Sequence, residues 1–271
     1  MTILVMGATG NVGGQVLVGL RERGVSVRAV SRRARPWPEG VEGFVGDPQV
    51  PHALDDAVDG VDGAFLMSGY AAEAGLLASL SDSHIVLLSA SSADLAGGGN
   101  AMAAMHRDSE RAVATSGLSW TFLRPCSLQS NLLRWRDQLA DGDVVRAPFG
   151  QVAPAMIDPA DVGAVAALAL TTSGHEGQTY RLSGPSALTP VDQLALLGAA
   201  LGRELDFQPM TDEETRQEMG APYGDAAVEI FHEHPELETD VQPTVERLLG
   251  RPPGSLSGWL ARNLKRFDQE S

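Results

Sequence analysis

The sequence predicts an α/β fold: a doubly wound parallel sheet with a smaller mixed α/β C-terminal lobe. Three observations carry that expectation. Short apolar runs alternate with stretches of helical composition up to Pro125. The first run leads into a glycine series, Gly7, Gly10 and Gly13, spaced G-x-x-G-x-x-G where a helix begins. Beyond Pro125 the alternation loses its regularity. Alternating β and α with short apolar strands implies a sheet covered by helices on both faces, with right-handed crossovers.

In order along the chain, strands are expected at Ile3–Met6, Val25–Val30, Glu42–Val45, Gly63–Met67, Ile85–Ser89 and Trp120–Leu123. Helices are expected at Val12–Arg23, His52–Val58, Ala71–Leu80 and Ala103–Thr115. Gly24, Gly46, Gly60 and Ser116-Gly117 punctuate them. Further on, Asn131–Leu139, Asp158–Leu170, Pro190–Leu201, Asp212–Gln217 and Asp225–Glu233 read as helices. Val152–Met156, Thr179–Leu182 and Glu204–Phe207 read as short strands. The sheet domain is expected over residues 1–125 plus parts of 126–185, and the smaller lobe over 126–271. The two interleave, because no low-complexity linker and no internal repeat divides the chain. Asp94–Asn100 carries three consecutive glycines after a strand and reads equally as a lid or as a plain surface loop.

Composition narrows the function classes. A chain of 271 residues with 43% hydrophobic content can bury one large core or a domain plus a lobe. The apolar stretch Val162–Leu170 is too short to span a bilayer, and no signal-peptide pattern opens the chain. The single cysteine, Cys126, excludes an intrachain disulfide and fits a reducing cytoplasm; it reads as a small buried residue rather than a nucleophile. No Cys/His spacing suggests a metal. A net charge of −15 argues against nucleic-acid or membrane-surface partners and otherwise only favours solubility; the expected partner is a small-molecule substrate. Of the 20 basic residues all but Lys265 are arginine, and the Ala/Gly-rich composition suggests a bacterial, high-GC origin.

The glycine series names a ligand. Gly7 permits a tight turn off the strand, Gly10 lets a pyrophosphate approach the backbone, and Gly13 lets the helix pack against the sheet. The helix start then offers free N–H groups and a positive dipole end to phosphates. Thr9, Asn11 and Val12 belong to this cradle, so the chain is expected to bind a dinucleotide. The end of the second strand narrows the choice. NAD sites place an acidic residue there for the ribose hydroxyls, but Ser31, Arg32 and Arg33 stand in that place. Arginine forks suit a 2′-phosphate, so NADP(H) is the expected cofactor. Arg28 and Arg35 are assigned to the solvated surface. Asp47 after the third strand either meets the adenine or caps the next turn. Met67 and Ser68 end the fourth strand beside ribose and pyrophosphate. Ser89 ends the fifth strand at the ligand edge, and Pro125 ends the sixth on the nicotinamide side.

The usual proton-transfer pair of short-chain dehydrogenases, a Tyr with a Lys four residues later, is absent. None of Tyr70, Tyr180 and Tyr223 has a lysine four residues on. The helix that would carry it has His106 and Glu110 instead. Four-residue spacing allows these two an ion pair, and an imidazole of pKa about 6.5 can donate a proton. Ser91, like its neighbour Ser92, offers a hydroxyl to a substrate oxygen or caps the helix that follows. His106 and Ser91 are the catalytic candidates.

The run His106…Glu110…Ser116-Gly117-Leu118-Ser119-Trp120-Thr121-Phe122-Leu123-Arg124-Pro125…Asn131 resembles the NmrA-like family of atypical short-chain dehydrogenases. Gly7-Ala8-Thr9-Gly10, Asp158-Pro159-Ala160-Asp161-Val162, the stretch from His175 to Pro185 and the tail from Thr244 to Trp259 are similar too. The resemblance implies a Rossmann domain, a small C-terminal lobe, a nicotinamide cofactor and Asn131 on a pocket wall. It does not imply one reaction. An NADP(H)-dependent reductase of quinone-like or aromatic carbonyl compounds is expected. The alternatives are an NADP(H)-sensing regulator with a protein partner and a secondary-metabolism tailoring reductase or isomerase.

Overall fold

The computed structural model describes residues 1–47, 49, 50, 52–70 and 75–267. Its first elements are β1 (Thr2–Val5), α1 (Gly13–Glu22), β2 (Ser26–Ser31), β3 (Val41–Val45), α2 (Asp55–Val58), β4 (Gly63–Met67), α3 (Leu76–Ser79) and β5 (His84–Leu88). A 3-10 turn at Ser91–Asp94, α4 (Ala101–Thr115) and β6 (Ser119–Pro125) follow. Next come a 3-10 helix at Gln129–Trp135, α5 (Arg136–Asp141), β7 (Val144–Ala147), α6 (Pro159–Thr171) and β8 (Gln178–Leu182). The chain continues through α7 (Pro190–Leu201), β9 (Asp206–Pro209), α8 (Asp212–Met219), α9 (Tyr223–Glu233), α10 (Glu236–Thr239), α11 (Thr244–Leu249) and α12 (Leu256–Asn263). No helix among the described residues is long and apolar enough to cross a membrane.

The chain divides into two compact units. One comprises Met1–Ala93, Ala104–Pro125 and Pro159–Arg181; the other comprises Asp94–Ala103, Cys126–Asp158 and Leu182–Ser271. The seven-stranded sheet has the order β3-β2-β1-β4-β5-β6-β8. Strands β1 to β6 pair in parallel, with Leu4 opposite both Arg28 and Ala64, and Leu87 opposite Phe122. Parallel registers bring Val5, Ser31, Met67, Leu88 and Pro125 to one carboxyl edge, where such sheets bind ligands. The order reverses at β1, so the glycine turn lies at the switch point.

Strand interiors are near-continuous apolar runs because both faces are covered. Leu4, Leu66, Ile85, Leu87, Val113 and Phe122 form one core cluster of this unit. On α6, small residues let α1 approach: a Cβ on Gly163 would stand 2.6 Å from the Gln15 backbone, and one on Gly19 would stand 3.0 Å from the Ala167 Cβ. Arg28, assigned to the surface by sequence, is a connector. It pairs with Glu42 at 3.3 Å and donates to the Ala57 carbonyl at 3.2 Å.

The other unit pairs β7 with β9 in parallel and packs Leu132, Trp135, Leu194, Leu197, Trp259 and Leu260 into its own core. Capping boxes at Thr189–Asp192 and Thr211–Glu214 start α7 and α8.

Several expected boundaries move. Of the helix expected at Ala71–Leu80, residues 71–74 lie outside the described residues, and the rest is one turn opened by Gly75 at φ 72°. The helix expected at His52–Val58 is reduced to α2, since His52 takes φ 62°. The strand expected at Val152–Met156 is a loop whose backbone serves other loops. Ala155 N–H donates to the Glu238 carbonyl, while the Ala155 and Pro154 carbonyls accept from Gly184 and Leu188. β7 was not expected, and β9 lies two residues beyond its expected start.

Gly163→Ala is expected to destabilise by about 1–3 kcal/mol, because backbone rather than a flexible side chain must yield. Gly98→Ala, where a Cβ meets nothing within 4 Å, is expected to shift stability by less than about 0.5 kcal/mol. Urea unfolding of both variants checks this; equal shifts contradict the close approach of α1 and α6.

Candidate functional site

β1 runs straight into the glycine turn. Gly7 sits at φ 62°, and Gly10 N–H donates to the Gly7 carbonyl at 2.8 Å. A Cβ on Gly13 would stand 2.2 Å from that same carbonyl oxygen, so only glycine allows α1 to begin there. No side chain caps the N-terminus of α1. Thr9, Gly10 and Asn11 are exposed, while Val12 and Gly13 are buried. The start of a ten-residue helix with no side-chain cap, reached over a turn with glycine at 7, 10 and 13, fits a pyrophosphate. Met67 ends β4 with its thioether against Gly7: a Cβ there would stand 2.8 Å from Sδ.

A cleft of about 660 Å³ opens beside this turn, lined by Thr9, Ser31, Arg32, Arg33, Ala34, Arg35 and Pro36. Ser31 Oγ donates to the Arg33 carbonyl at 2.7 Å and fixes the turn that presents the arginines. Arg32 and Arg33 are exposed, and Arg35 lies over the Trp37 ring at 5.1 Å. Guanidinium groups around a cleft that begins at Thr9 fit a 2′-phosphate. Asp47 serves the capping alternative: its Oδ1 accepts from Gln49 N–H at 3.0 Å. The Ser68 hydroxyl is likewise engaged, donating to the Leu88 carbonyl at 3.0 Å.

The ends of β5 and β6 and the helix α4 supply the remaining candidates. Ser89 Oγ, Ser92 Oγ and His106 Nδ1 are buried with no hydrogen-bond partner among the described residues. An unmet buried polar atom costs about 1–3 kcal/mol, so the arrangement suits a bound polar group. Ser91 is buried in the 3-10 turn, and Pro125 is buried at the end of β6. Cys126 is buried as well.

The pair His106–Glu110, allowed by spacing, does not form. Glu110 takes Arg124 instead, in a fork of 2.9 and 2.5 Å, with both side chains largely buried. Glu110 is thereby structural, and Arg124 is turned to α4. Burial pushes the His106 imidazolium down to about 4, against a smaller upward pull from Glu110. His106 is thus neutral at physiological pH. It can hydrogen-bond, but it holds no spare proton.

Ser109 was missed by sequence reasoning. Its Oγ accepts from Gly69 N–H at 2.9 Å and donates to the Met105 carbonyl at 3.0 Å, tying α4 to the loop after β4. A lone helix serine gives no sequence signal for such a bond. In the other unit, Asn131 lines a cavity with Trp135 and Phe149.

The depressed His106 value has a consequence for stability. Between pH 6.5 and 4 the unfolded chain binds this proton and the folded chain does not, so stability falls as pH drops through that window. From pH 7 to 4.5 the loss is about 2–3 kcal/mol. His106→Asn is expected to remove that part of the acid sensitivity, measured by urea unfolding at both pH values. An imidazole NMR midpoint near 6.5 would contradict the assignment.

Residues 7–173 match the NAD(P)H-binding family. The chain is 36% identical over 285 residues, with 99% of it and all of the relative covered, to a (4-alkanoyl-5-oxo-2,5-dihydrofuran-3-yl)methyl phosphate reductase of Streptomyces griseus. It is 31% identical to an NAD(P)H azoreductase of Xenophilus azovorans, covering 92% of the chain and 93% of that protein. Among solved structures, an NADPH-dependent quinone oxidoreductase of Escherichia coli, complexed with NADPH, aligns with TM-score 0.78 and 24% identity over 97% of this chain and all of that one. The expected parallel α/β fold and the expected cofactor, NADP(H), both stand. The chain belongs to the NAD(P)H-binding family and is an NAD(P)H-dependent oxidoreductase.

Proposed function

We propose that the protein uses NADP(H) to reduce a small conjugated acceptor, a quinone-like or aromatic carbonyl compound, without a Tyr–Lys pair. The observation that carries this reading is His106, half-buried with its Nδ1 enclosed and unpartnered, and neutral, on the helix where a proton donor would stand. A conjugated acceptor spreads the charge of the arriving hydride over its own oxygens, so positioning matters more than acid strength. Bound NADPH supplies the hydride. The glycine turn and the start of α1 hold the pyrophosphate, and Arg32 and Arg33 hold the 2′-phosphate. Ser89, Ser91, Ser92 and His106 offer hydrogen bonds to the carboxamide or the acceptor oxygen, and Pro125 shapes the wall of the site. The proton that completes reduction comes from water through these groups.

A narrower reading, a tailoring reductase of secondary metabolism, is favoured by the Streptomyces griseus relative, which matches over its full length. The ring named in that protein's substrate has its C=C bond conjugated to both the lactone and the alkanoyl carbonyl. It is the same kind of acceptor in chemical terms.

NADPH oxidation, followed by absorbance against a panel of quinones, aromatic ketones and acyl-butenolides, tests the reading. Turnover is expected for at least one class, with His106→Ala losing kcat while still binding NADPH. Tight NADPH binding with no oxidation across the panel would overturn this acceptor class. Separately, Arg32→Ala is expected to weaken NADPH about 10- to 100-fold, the worth of a charge-assisted contact, and NADH by less than about twofold. Equal loss for both cofactors would remove Arg32 from the 2′-phosphate.

A further inference from the structure

The unit that holds β7 and β9 contains a cavity of about 190 Å³ built wholly from its own residues. An engineered apolar cavity of about 150 Å³ holds one benzene, so this space suits one substituted ring. Phe149 and Phe231 line it and stack on each other, with centroids 4.3 Å apart and planes 4° apart. Phe149 has φ 57°, a left-handed conformation rarely taken by a bulky residue. Such strain persists where neighbours over-determine it and marks functional positions. Here the Phe149 carbonyl accepts from Val152 N–H at 2.9 Å, and the edge of His232 meets the ring at 5.6 Å. His232 is itself held by Asp212 at 2.9 Å.

One charged side chain lines the cavity among the described residues, Arg134. Its Nε donates to the Asn131 carbonyl at 3.0 Å, and it makes no ion pair among the described residues. Arg146, Arg203, Arg216 and Arg262 of the same unit each hold a carboxylate. Glu218 acts on Arg134 only through space. In a chain of net charge −15, an arginine left without a carboxylate at a cavity is placed for an anion from outside. The Nη donors remain for it once Nε is fixed by Asn131.

We propose that this cavity selects flat conjugated acceptors that bear an anionic oxyacid group, with Arg134 as the anion anchor and the Phe149–Phe231 pair as the wall for the ring. The inference rests on the reading of the protein as a reductase of conjugated acceptors and adds the charge of the substrate. Arg134 and Phe149 are then specificity-determining residues.

The test is binding, so it stands apart from turnover. NMR titrations of the full chain with phenyl phosphate, benzenesulfonate, benzoate and neutral benzyl alcohol give Kd for each. At least one anion is expected to bind about 10-fold tighter than the alcohol, as a charge-assisted contact provides. Which anion leads identifies the oxyacid. That advantage should fall below about twofold in Arg134→Gln, survive in part in Arg134→Lys, and shrink with added salt. Phe149→Ala should weaken all four ligands. NADPH affinity serves as the folding control for each variant. Equal binding of anions and alcohol by the natural protein, an advantage kept in Arg134→Gln, or unchanged affinities in Phe149→Ala would each overturn the proposal. Failure of every acceptor to oxidise NADPH would overturn the reductase chemistry of Proposed function while leaving an Arg134-dependent anion preference measurable.

Discussion

Where α1 leaves the glycine turn, backbone lies against backbone. Gly13 passes the Gly7 carbonyl so closely that a methyl group there would overlap it, at 2.2 Å. This contact decides where α1 starts, and so aims its uncapped N–H groups along the carboxyl edge of the sheet. The same helix is gripped on another side by Gly163 of α6. With α1 fixed, Thr9 borders the arginine cleft, and Met67 closes over Gly7 from β4. The carboxyl edge of the sheet beside this turn is therefore shaped by small residues, through what they leave out.

Charge is handled locally against a strongly acidic background. Arg32 and Arg33 stay exposed around a cleft, whereas Arg124 is spent on Glu110 inside the protein. Breaking a buried pair of that kind strands a charge and costs about 3–5 kcal/mol, so the fork fixes α4 firmly against β6. The outcome for His106 follows. Glu110 faces a guanidinium that already satisfies it, and the imidazole, left to burial, stays neutral. A site arranged in this way supplies hydrogen bonds more readily than protons, which matches acceptors that need little acid.

The sheet was legible in the sequence wherever strands were apolar runs closed by glycine, as in Ile3-Leu4-Val5 and Ala64-Phe65-Leu66. The glycine series and the arginine cluster were legible because their chemistry depends on residue type at fixed spacing. Asp47 had two readings, and a hydrogen bond from Gln49 now engages one of its oxygens in a turn. The Glu110–Arg124 fork joins a helix to the next strand, and helical spacing pointed to His106 instead. Val152–Met156 has strand composition, yet its carbonyls and N–H groups are claimed by Glu238, Gly184 and Leu188, far along the chain. Ser109 and Phe149 owe their places to tertiary partners and to a backbone angle that no local pattern encodes.

We propose that NADP(H) lies on the Gly7–Gly13 turn with its 2′-phosphate among the arginines after β2. Hydrogen exchange followed by mass spectrometry, with and without saturating NADPH, tests it most directly. Slowed exchange is expected in peptides covering residues 7–14 and 31–35, with NADH protecting the first and sparing the second. Protection confined to other segments, or equal protection of residues 31–35 by both cofactors, would contradict it.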